Sequence, residues 1–470
     1  MLINSKLLGH ALDIWRAERG GRAAIVARQR TRLVDLVRSA RAQSPLYREL
    51  YRDLPADAWE LRALPPVTKR QLMARFDAWG TDPAVTRAGV EAFVADKSNV
   101  GRRYLGRYAV WTSSGISGEP GIFVHDANAV AVYRALTLVR GLVAWMTPAR
   151  LWAMLRQGDR VATVVATGGH YVSVSMMGVA RRARPWPFNR VRVFSVLRPE
   201  PEVVRALNRF KPAELIGYPT ALMLLAREQL AGRLAIRPAL VGYGGEWLAP
   251  GARREIVAAF GGPIRENYGA SEFTRLAWGC LREGLHVSAD WGILEPVDEH
   301  YQPVPPGRAS YTTLLTNLAN RVQPIIRYDL GDSITTIPVP CPCGSPLPLI
   351  RVEGRRDEIV YLETARGGTV PLLPLALIKL VEETPGVQRC QVVQTGRATL
   401  SVRLEVAPSA DEGRVWEAVG RRLRAYLSAH RLPLARVERA AERPASDRVS
   451  GKFRQVWAEP GATSGARSSS

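Results

Sequence analysis

Nine consecutive residues, Thr112-Ser113-Ser114-Gly115-Ile116-Ser117-Gly118-Glu119-Pro120, gather hydroxyls and glycines into one short run. Glycine lets backbone N–H groups turn toward a common point, and hydroxyls add donors beside them, which suits a loop to phosphate oxygens. The run lacks the lysine and the glycine spacing of a Walker loop. Further along, Glu266-Asn267-Tyr268-Gly269-Ala270-Ser271-Glu272 combines an aromatic face that can stack on a base with a carboxylate that can hold Mg²⁺ beside phosphates. Arg327-Tyr328-Asp329-Leu330-Gly331-Asp332 places acids on a tight turn, suited to ribose hydroxyls. Gly354-Arg355-Arg356-Asp357 and then Ser450-Gly451-Lys452 follow, the last offering a cation to a carboxylate. Taken singly, each run is an ordinary turn; their order along the chain distinguishes them.

A second set is metallic in character. Cys280 and His286 are separated by five residues, and Cys341-Pro342-Cys343-Gly344 makes a knuckle-like turn. Together they supply a Cys₃His set suited to closed structural zinc. The alternative is that the cysteines are small buried hydrophobes, the reading that fits Cys390.

In that order the chain resembles the adenylate-forming enzymes, and within them the phenylacetate–coenzyme A ligase-like branch. The family has a Ser/Thr/Gly phosphate loop, Tyr-Gly-x-Ser/Thr-Glu, Tyr-x-x-Gly-Asp, Gly-Arg-x-Asp and a late Gly-Lys, all present here. Ser44-Pro45-Leu46-Tyr47-Arg48, Leu64 to Lys69 and Leu315 to Asp332 add the branch-level likeness, which spans about residues 40 to 457. The resemblance implies that Thr112, Ser113, Ser114, Gly115, Ser117 and Gly118 hold the ATP β- and γ-phosphates. Gly244, Gly245 and Glu246, with Asn267 and Tyr268, would border the adenine. Ser271 would lie at the α-phosphate, Glu272 would ligate Mg²⁺, and Asp332 would bind the ribose with Arg355 nearby. Asp357 would be the hinge, and Lys452 would bridge the substrate carboxylate and the α-phosphate. Some members of the branch also carry a Cys…His pair and a Cys-x-Cys. His170, Trp145, Trp152 and Tyr218 are candidates for the acyl pocket. Two departures stand out: Glu119 where the family loop commonly has Lys, and Ile116 in place of a usual Thr.

The expected activity is ATP-dependent activation of a small, aromatic or otherwise hydrophobic carboxylic acid through an acyl-adenylate. Coenzyme A is the expected co-substrate, making the chain an AMP-forming acid–thiol ligase. The alternatives are transfer of the acyl group to an amine or carrier protein, transfer of AMP to a deazaflavin cofactor, or a catalytically degenerate binding protein on the same fold.

Such parts need a scaffold that aims several loops at one crevice. From about Trp111, apolar strand-like runs alternate with helix-like runs: Arg192 to Val196, Glu202 to Phe210, Glu214 to Gly217, Ala221 to Leu230 and Ala239 to Tyr243. That alternation predicts an α/β fold with a mostly parallel sheet flanked by helices, and ligands bind beyond the carboxyl ends of such strands. Proline- and glycine-broken strands between about 285 and 350 predict a small β-rich subdomain. Residues 354–458 read as a small mobile α+β domain, with 1–353 the large one and 459–470 a flexible tail. The N-terminal 50 residues read as Arg-rich helices ended by Ser44-Pro45.

Composition narrows the class. A chain of 470 residues exceeds what one core usually supports. The net charge of +22, mostly spread-out Arg, would attract nucleotides, acidic substrates or anionic surfaces, or reflect no more than solvated Arg on helix faces. No signature of specific nucleic-acid binding accompanies it. Four cysteines do not make a disulfide scaffold, and with no signal-peptide pattern the expected location is the cytoplasm. Val161 to Ala180 is long and uncharged enough to span a bilayer, but its glycines, hydroxyls and His170 favour a strand, a turn and a helix.

Overall fold

The computed structural model describes residues 5–462 apart from 56–58, 114–120, 168, 184–189, 247, 249, 281, 283, 356–359, 365–367, 373 and 447–452. Two helices, Ser5–Arg19 and Gly21–Gln43, open the chain. Ser44 ends the second and starts the helix Pro45–Leu50, with its hydroxyl accepting from the Tyr47 amide. Proline at the first helical position needs no donor there. Tyr47 and Trp79 both donate to the Pro324 carbonyl, at 3.1 and 2.6 Å, so this helical layer is fastened to the strands that carry the later motifs. Thr68 and Gln71 form a capping box on the helix Lys69–Ala74.

Strands β1 (Ala109–Thr112) and β2 (Ile122–His125) form an antiparallel hairpin. The main sheet then builds from β3 (Val161–Val165), β4 (Val191–Ser195), β5 (Glu214–Gly217), β6 (Leu240–Gly244) and β7 (Ile264–Tyr268), all parallel. Helices such as Glu200–Phe210 and Pro219–Leu230 alternate with them, as the sequence periodicity predicts. Val203, Val204, Leu207 and Phe210 of the first join Leu215 and Val241 of the sheet in one apolar cluster. The uncharged stretch after Val161 is β3 followed by the helix Val172–Ala183, as expected. A different stretch, Ala127–Trp145, is long and apolar enough to cross a membrane, and half of it is buried inside the protein.

Between 285 and 350 the strands divide between two sheets. Strands β8 (Ala277–Gly279), β9 (Leu285–Val287), β13 (Asp332–Ile337) and β14 (Leu349–Arg355) extend the parallel sheet antiparallel, giving nine strands in the order β13-β14-β9-β8-β7-β6-β5-β3-β4. Strands β10 (Gly292–Val297), β11 (Thr312–Asn317) and β12 (Ile325–Asp329) make a separate three-stranded sheet. The prolines and glycines mark the turns, but edge hydrogen bonding on β7 decides which strands join it.

After β14, strands β15 (Val360–Glu363) and β16 (Thr369–Leu372) pair as a hairpin, and β17 (Val387–Gly396), β18 (Thr399–Val406), β19 (Arg436–Arg439) and β20 (Val456–Ala458) form a four-stranded sheet. The helices Pro374–Glu382 and Glu412–Ala429 cover it, and a separate apolar cluster runs from Val360 to Val456. Glu382 borders this core. Its Oε1 accepts from Gln455 at 2.9 Å, its Oε2 is buried without a hydrogen-bond partner among the described residues, and burial pushes the carboxyl up to about 8. A carboxyl raised in the folded state stabilises below its unfolded value and loses that contribution as pH rises through the folded one. Stability should therefore fall between about pH 4.5 and 8 by on the order of a few kcal/mol from this group. Glu382→Gln should flatten that part of a melting-temperature profile taken from pH 5 to 9.

Candidate active site

Strand ends assemble the site. The hairpin β1–β2 carries the hydroxyl-rich loop, of which Thr112 and Ser113 are described, while Ser114, Gly115, Ile116, Ser117, Gly118 and Glu119 lie outside the described residues. The loop base is closed from both sides: the Ser113 amide donates to the Gly121 carbonyl at 2.9 Å, and the Gly121 amide donates to Ser113 Oγ at 2.7 Å. Acceptance leaves the Ser113 proton available to another oxygen. The Thr112 amide donates to the His170 carbonyl, so β1 also touches the turn after β3.

The β7 motif is bolted to this hairpin. The Ser271 carbonyl accepts from Trp111 Nε1 at 2.6 Å and from His125 Nε2 at 3.1 Å, and the Ser271 hydroxyl lies 3.4 Å from the Thr112 carbonyl. His125 stacks on Trp111 and is fully buried, which pushes its imidazole down to about 3 and keeps it a neutral strut. Gly269 permits the close turn: a Cβ there would meet the Thr274 carbonyl oxygen at 2.3 Å. Gly244 plays the same part at the end of β6, where a Cβ would stand 2.5 Å from the Asn267 carbonyl oxygen.

Glu272 is buried, and Tyr328 donates to its Oε1 at 2.7 Å. Burial raises its carboxyl above the usual range, opposed by the Tyr328 hydrogen bond. Asn317 donates to the Glu272 carbonyl at 2.8 Å, fixing the backbone beneath it. Beside it, Asp332 accepts from the Tyr268 hydroxyl through Oδ2 at 2.6 Å and from Arg355 through Oδ1 at 3.1 Å. Burial and then Asp332 push the Tyr268 phenol well up, so it remains a donor. Asn267 Oδ1 is buried with no hydrogen-bond partner among the described residues.

The segment Arg327–Asp332 is the junction. Arg327 reaches the Leu64 and Arg62 carbonyls and pairs with Glu295, Tyr328 holds Glu272, and Asp329 accepts from Thr312 and the Gly331 amide. In the sequence the turn marks Asp332, whereas Tyr328 is signalled only by its place four residues before it. No local pattern marks Trp111, His125 and Asn317, because they act through chain-distant partners.

Glu246, after β6, spends its carboxylate on two neighbours. Oε2 accepts from Thr220 Oγ1 at 2.7 Å and the Thr220 amide at 3.2 Å, and Oε1 accepts from the Phe453 amide at 2.8 Å. Phe453 directly follows Lys452, which, like Asp357, lies outside the described residues. Of the acyl-pocket candidates, His170 and Trp145 are buried and burial pushes the Tyr218 phenol up to about 12. Trp152 is 64% exposed on its helix, so the reading that it lines a pocket is corrected: in Pro148–Arg156 it is Met154 that turns inward.

The zinc candidates converge. Cys280, His286, Cys341 and Cys343 offer ligand atoms all within 4.8 Å of one another. Cys280 and Cys341 sulfurs are 3.5 Å apart, and His286 Nε2 is 3.2 Å from Cys343 Sγ. Zinc bonds of about 2.3 Å to sulfur and about 2.0–2.1 Å to nitrogen at tetrahedral angles need ligand separations of roughly 3.4–3.8 Å, so the set fits with small adjustment. Leu347 lies 3.3 Å from His286 Nδ1, and a proton donated there leaves Nε2 to ligate. The Arg282 and Ser345 amides point at Cys280 and Cys343 sulfurs, each at 3.4 Å.

No family model matches the chain. It is 26% identical over 218 residues to Protein CapK of Staphylococcus aureus, which is 45% of this chain and 46% of that protein, so the match spans about half the length of this curated relative. Among solved structures, 2-hydroxyisobutyryl-CoA ligase in the postadenylation state with 2-HIB-AMP superposes with a TM-score of 0.65 at 20% identity, covering 93% of this chain and 89% of that one. An open conformation of that ligase with 2-HIB-AMP and CoA gives 0.54 at 21% identity, covering 93% and 91%. The mixed α/β architecture, with its large sheet flanked by helices and its smaller sheets, is the fold of the adenylate-forming ligases.

Proposed function

We propose that this chain activates a carboxylic acid with ATP, forming an acyl-adenylate and releasing pyrophosphate, and then passes the acyl group to the thiol of coenzyme A with AMP as the leaving group. The observation that carries the reading is the joining of three separate strand ends by Trp111–Ser271, Tyr328–Glu272 and Tyr268–Asp332–Arg355. In adenylation an oxygen of the substrate carboxylate bonds to the α-phosphorus as the bond to pyrophosphate breaks. No side-chain nucleophile is required, so positioning and charge neutralisation do the catalysis.

Ser113, with Thr112 and the rest of the loop, holds phosphates. Asn267 Oδ1 offers its unused acceptor to the adenine amino group, and Asp332 exchanges its present partners for ribose hydroxyls. Glu272 fits Mg²⁺: a carboxylate that burial disfavours as an anion gains most from a cation, which would neutralise phosphate charge. Lys452 supplies the second cation. Zinc at Cys280, His286, Cys341 and Cys343 is structural. The branch is the phenylacetate–coenzyme A ligase-like one, the acid aromatic or hydrophobic, and the compartment a reducing one such as the cytoplasm. The unit beyond residue 353, with its own apolar core, is the small mobile domain.

The test is acid-dependent ATP–pyrophosphate exchange over a panel of carboxylic acids, followed by product analysis with and without coenzyme A. Exchange with at least one hydrophobic acid is expected. Absence of both exchange and ATP binding would leave a non-enzymatic protein on this fold, the outcome toward which Glu119 and Ile116 lean. A product formed without coenzyme A would instead identify an amine, carrier or cofactor acceptor. Lys452→Ala should lower exchange by about 10²-fold or more while sparing thioester formation from supplied acyl-adenylate, because its charge matters only where pyrophosphate leaves.

A further inference from the structure

We propose that Glu246 is a latch: a positioning residue that captures the C-terminal segment beside the site for adenylation and releases it for the second half-reaction. The proposal rests on the adenylation reading above. One carboxylate serves two bodies. Oε2 stays within the large unit, taking the Thr220 hydroxyl and amide at the start of the helix Pro219–Leu230, where first-turn N–H groups lack intrahelical acceptors. Oε1 reaches across to the Phe453 amide, 207 positions along the chain.

Three further anchors of residues 453–455 lie in the small unit. The Phe453 ring lies under the Arg389 guanidinium at 4.5 Å, Gln391 donates to the Arg454 carbonyl at 2.8 Å, and Gln455 donates to Glu382 at 2.9 Å. The Val392 amide donates to the Gln455 carbonyl at 2.8 Å, continuing into the parallel pairing of β17 with β20. A rotation of the small unit as a rigid body keeps all of these and breaks the Glu246–Phe453 bond. Because the segment is braced from its own side, that bond fixes where Phe453 stands against the large unit. A backbone donor is also a fitting partner: it sets chain position whatever the side chain does, and a carboxylate acceptor makes the bond charge-assisted. Thr220 in turn holds the carboxylate in place whether or not the segment is docked, so the latch is preformed.

The experiment uses the full chain and two readouts. Hydrogen exchange of the Phe453 amide, resolved by fragmentation, should quicken by at least about 10-fold in Glu246→Ala, because its acceptor is gone. ATP–pyrophosphate exchange, with the acid that the unaltered protein uses best, should fall by about 10- to 100-fold. Conversion of supplied acyl-adenylate with the protein's own acceptor should fall clearly less than the exchange does, by a margin of about 5-fold or more, because any contact of Glu246 with the adenylate is common to both half-reactions. Thr220→Val, which removes one of the bonds on Oε2 and leaves Oε1 untouched, should show the smaller effect on both readouts, and Glu246→Met, which keeps the length and lacks the carboxylate oxygens, serves if the alanine variant does not fold. Equal loss of both half-reactions, or unchanged protection of the Phe453 amide, would overturn the latch. If the unaltered protein activates no acid, the adenylation reading fails on that result, while the Phe453 amide still decides whether Glu246 holds the segment.

Discussion

Glu272→Gln is expected to lower acid-dependent ATP–pyrophosphate exchange by about 10²- to 10³-fold while leaving the melting temperature unchanged or higher. The two halves of that expectation share a cause. Burial raises the Glu272 carboxyl, so as an anion this side chain destabilises the empty protein. A neutral amide of nearly the same shape removes that cost and still accepts from Tyr328. What it cannot do is offer a negative charge to a cation beside the phosphates. Loss of activity with retained or increased stability marks a group kept for chemistry. Tyr328→Phe gives a companion result with a defined sign. The Tyr328 hydrogen bond favours the charged carboxylate, so its loss moves the Glu272 carboxyl further up. The acid limb of the exchange–pH profile should then shift to higher pH. A Glu272→Gln protein that melts early yet keeps its exchange would make this carboxylate a packing element.

The candidate site residues could be picked out in the sequence because each lies near a turn that glycine, proline or an acid punctuates. Glu214–Gly217 and Thr399–Val406 were readable to the residue, since β-branched and apolar runs end abruptly at turn chemistry. The long-range ties were not legible. Trp111 and His125 look like ordinary strand residues, and only the folded chain brings them to the Ser271 carbonyl from about 150 positions away. The partition of 277–355 between two sheets was equally hidden. A strand's sequence records that it is buried, and says little about which edge it pairs with. Glu246 shows a third limit: sequence order placed it beside a glycine pair, but its partners Thr220 and Phe453 come from a helix start and a distant segment. The tetrad of Cys280, His286, Cys341 and Cys343 was legible because ligand type restricts it so strongly, and a separation of 61 positions between Cys280 and Cys341 did not obscure it.

That tetrad carries the second large prediction. Purified protein should hold about one zinc per chain, and Cys343→Ser should lose it and about 2–5 kcal/mol of stability. Cys343 is the informative position because it is exposed: as a plain thiol its replacement by serine removes no packing. Cys280 follows β8, His286 lies in β9, and Cys341 and Cys343 lie between β13 and β14. A bound ion therefore ties two hairpin ends, a cross-link over a long stretch of chain. The adjoining apolar cluster joins Leu285, Val287, Leu347 and Ile350 to Ala17 and Ile25 of the N-terminal helices, so loosening the hairpins should loosen those helices too. A chelator should bring the unaltered protein down to the melting temperature of Cys343→Ser and leave that variant where it is. Cys390→Ser provides the opposite pattern: its thiol is fully buried in the C-terminal core, so stability should fall through packing with the zinc content intact. Metal-free protein with an unmoved melting temperature in Cys343→Ser would return all four cysteines to the role of small apolar side chains.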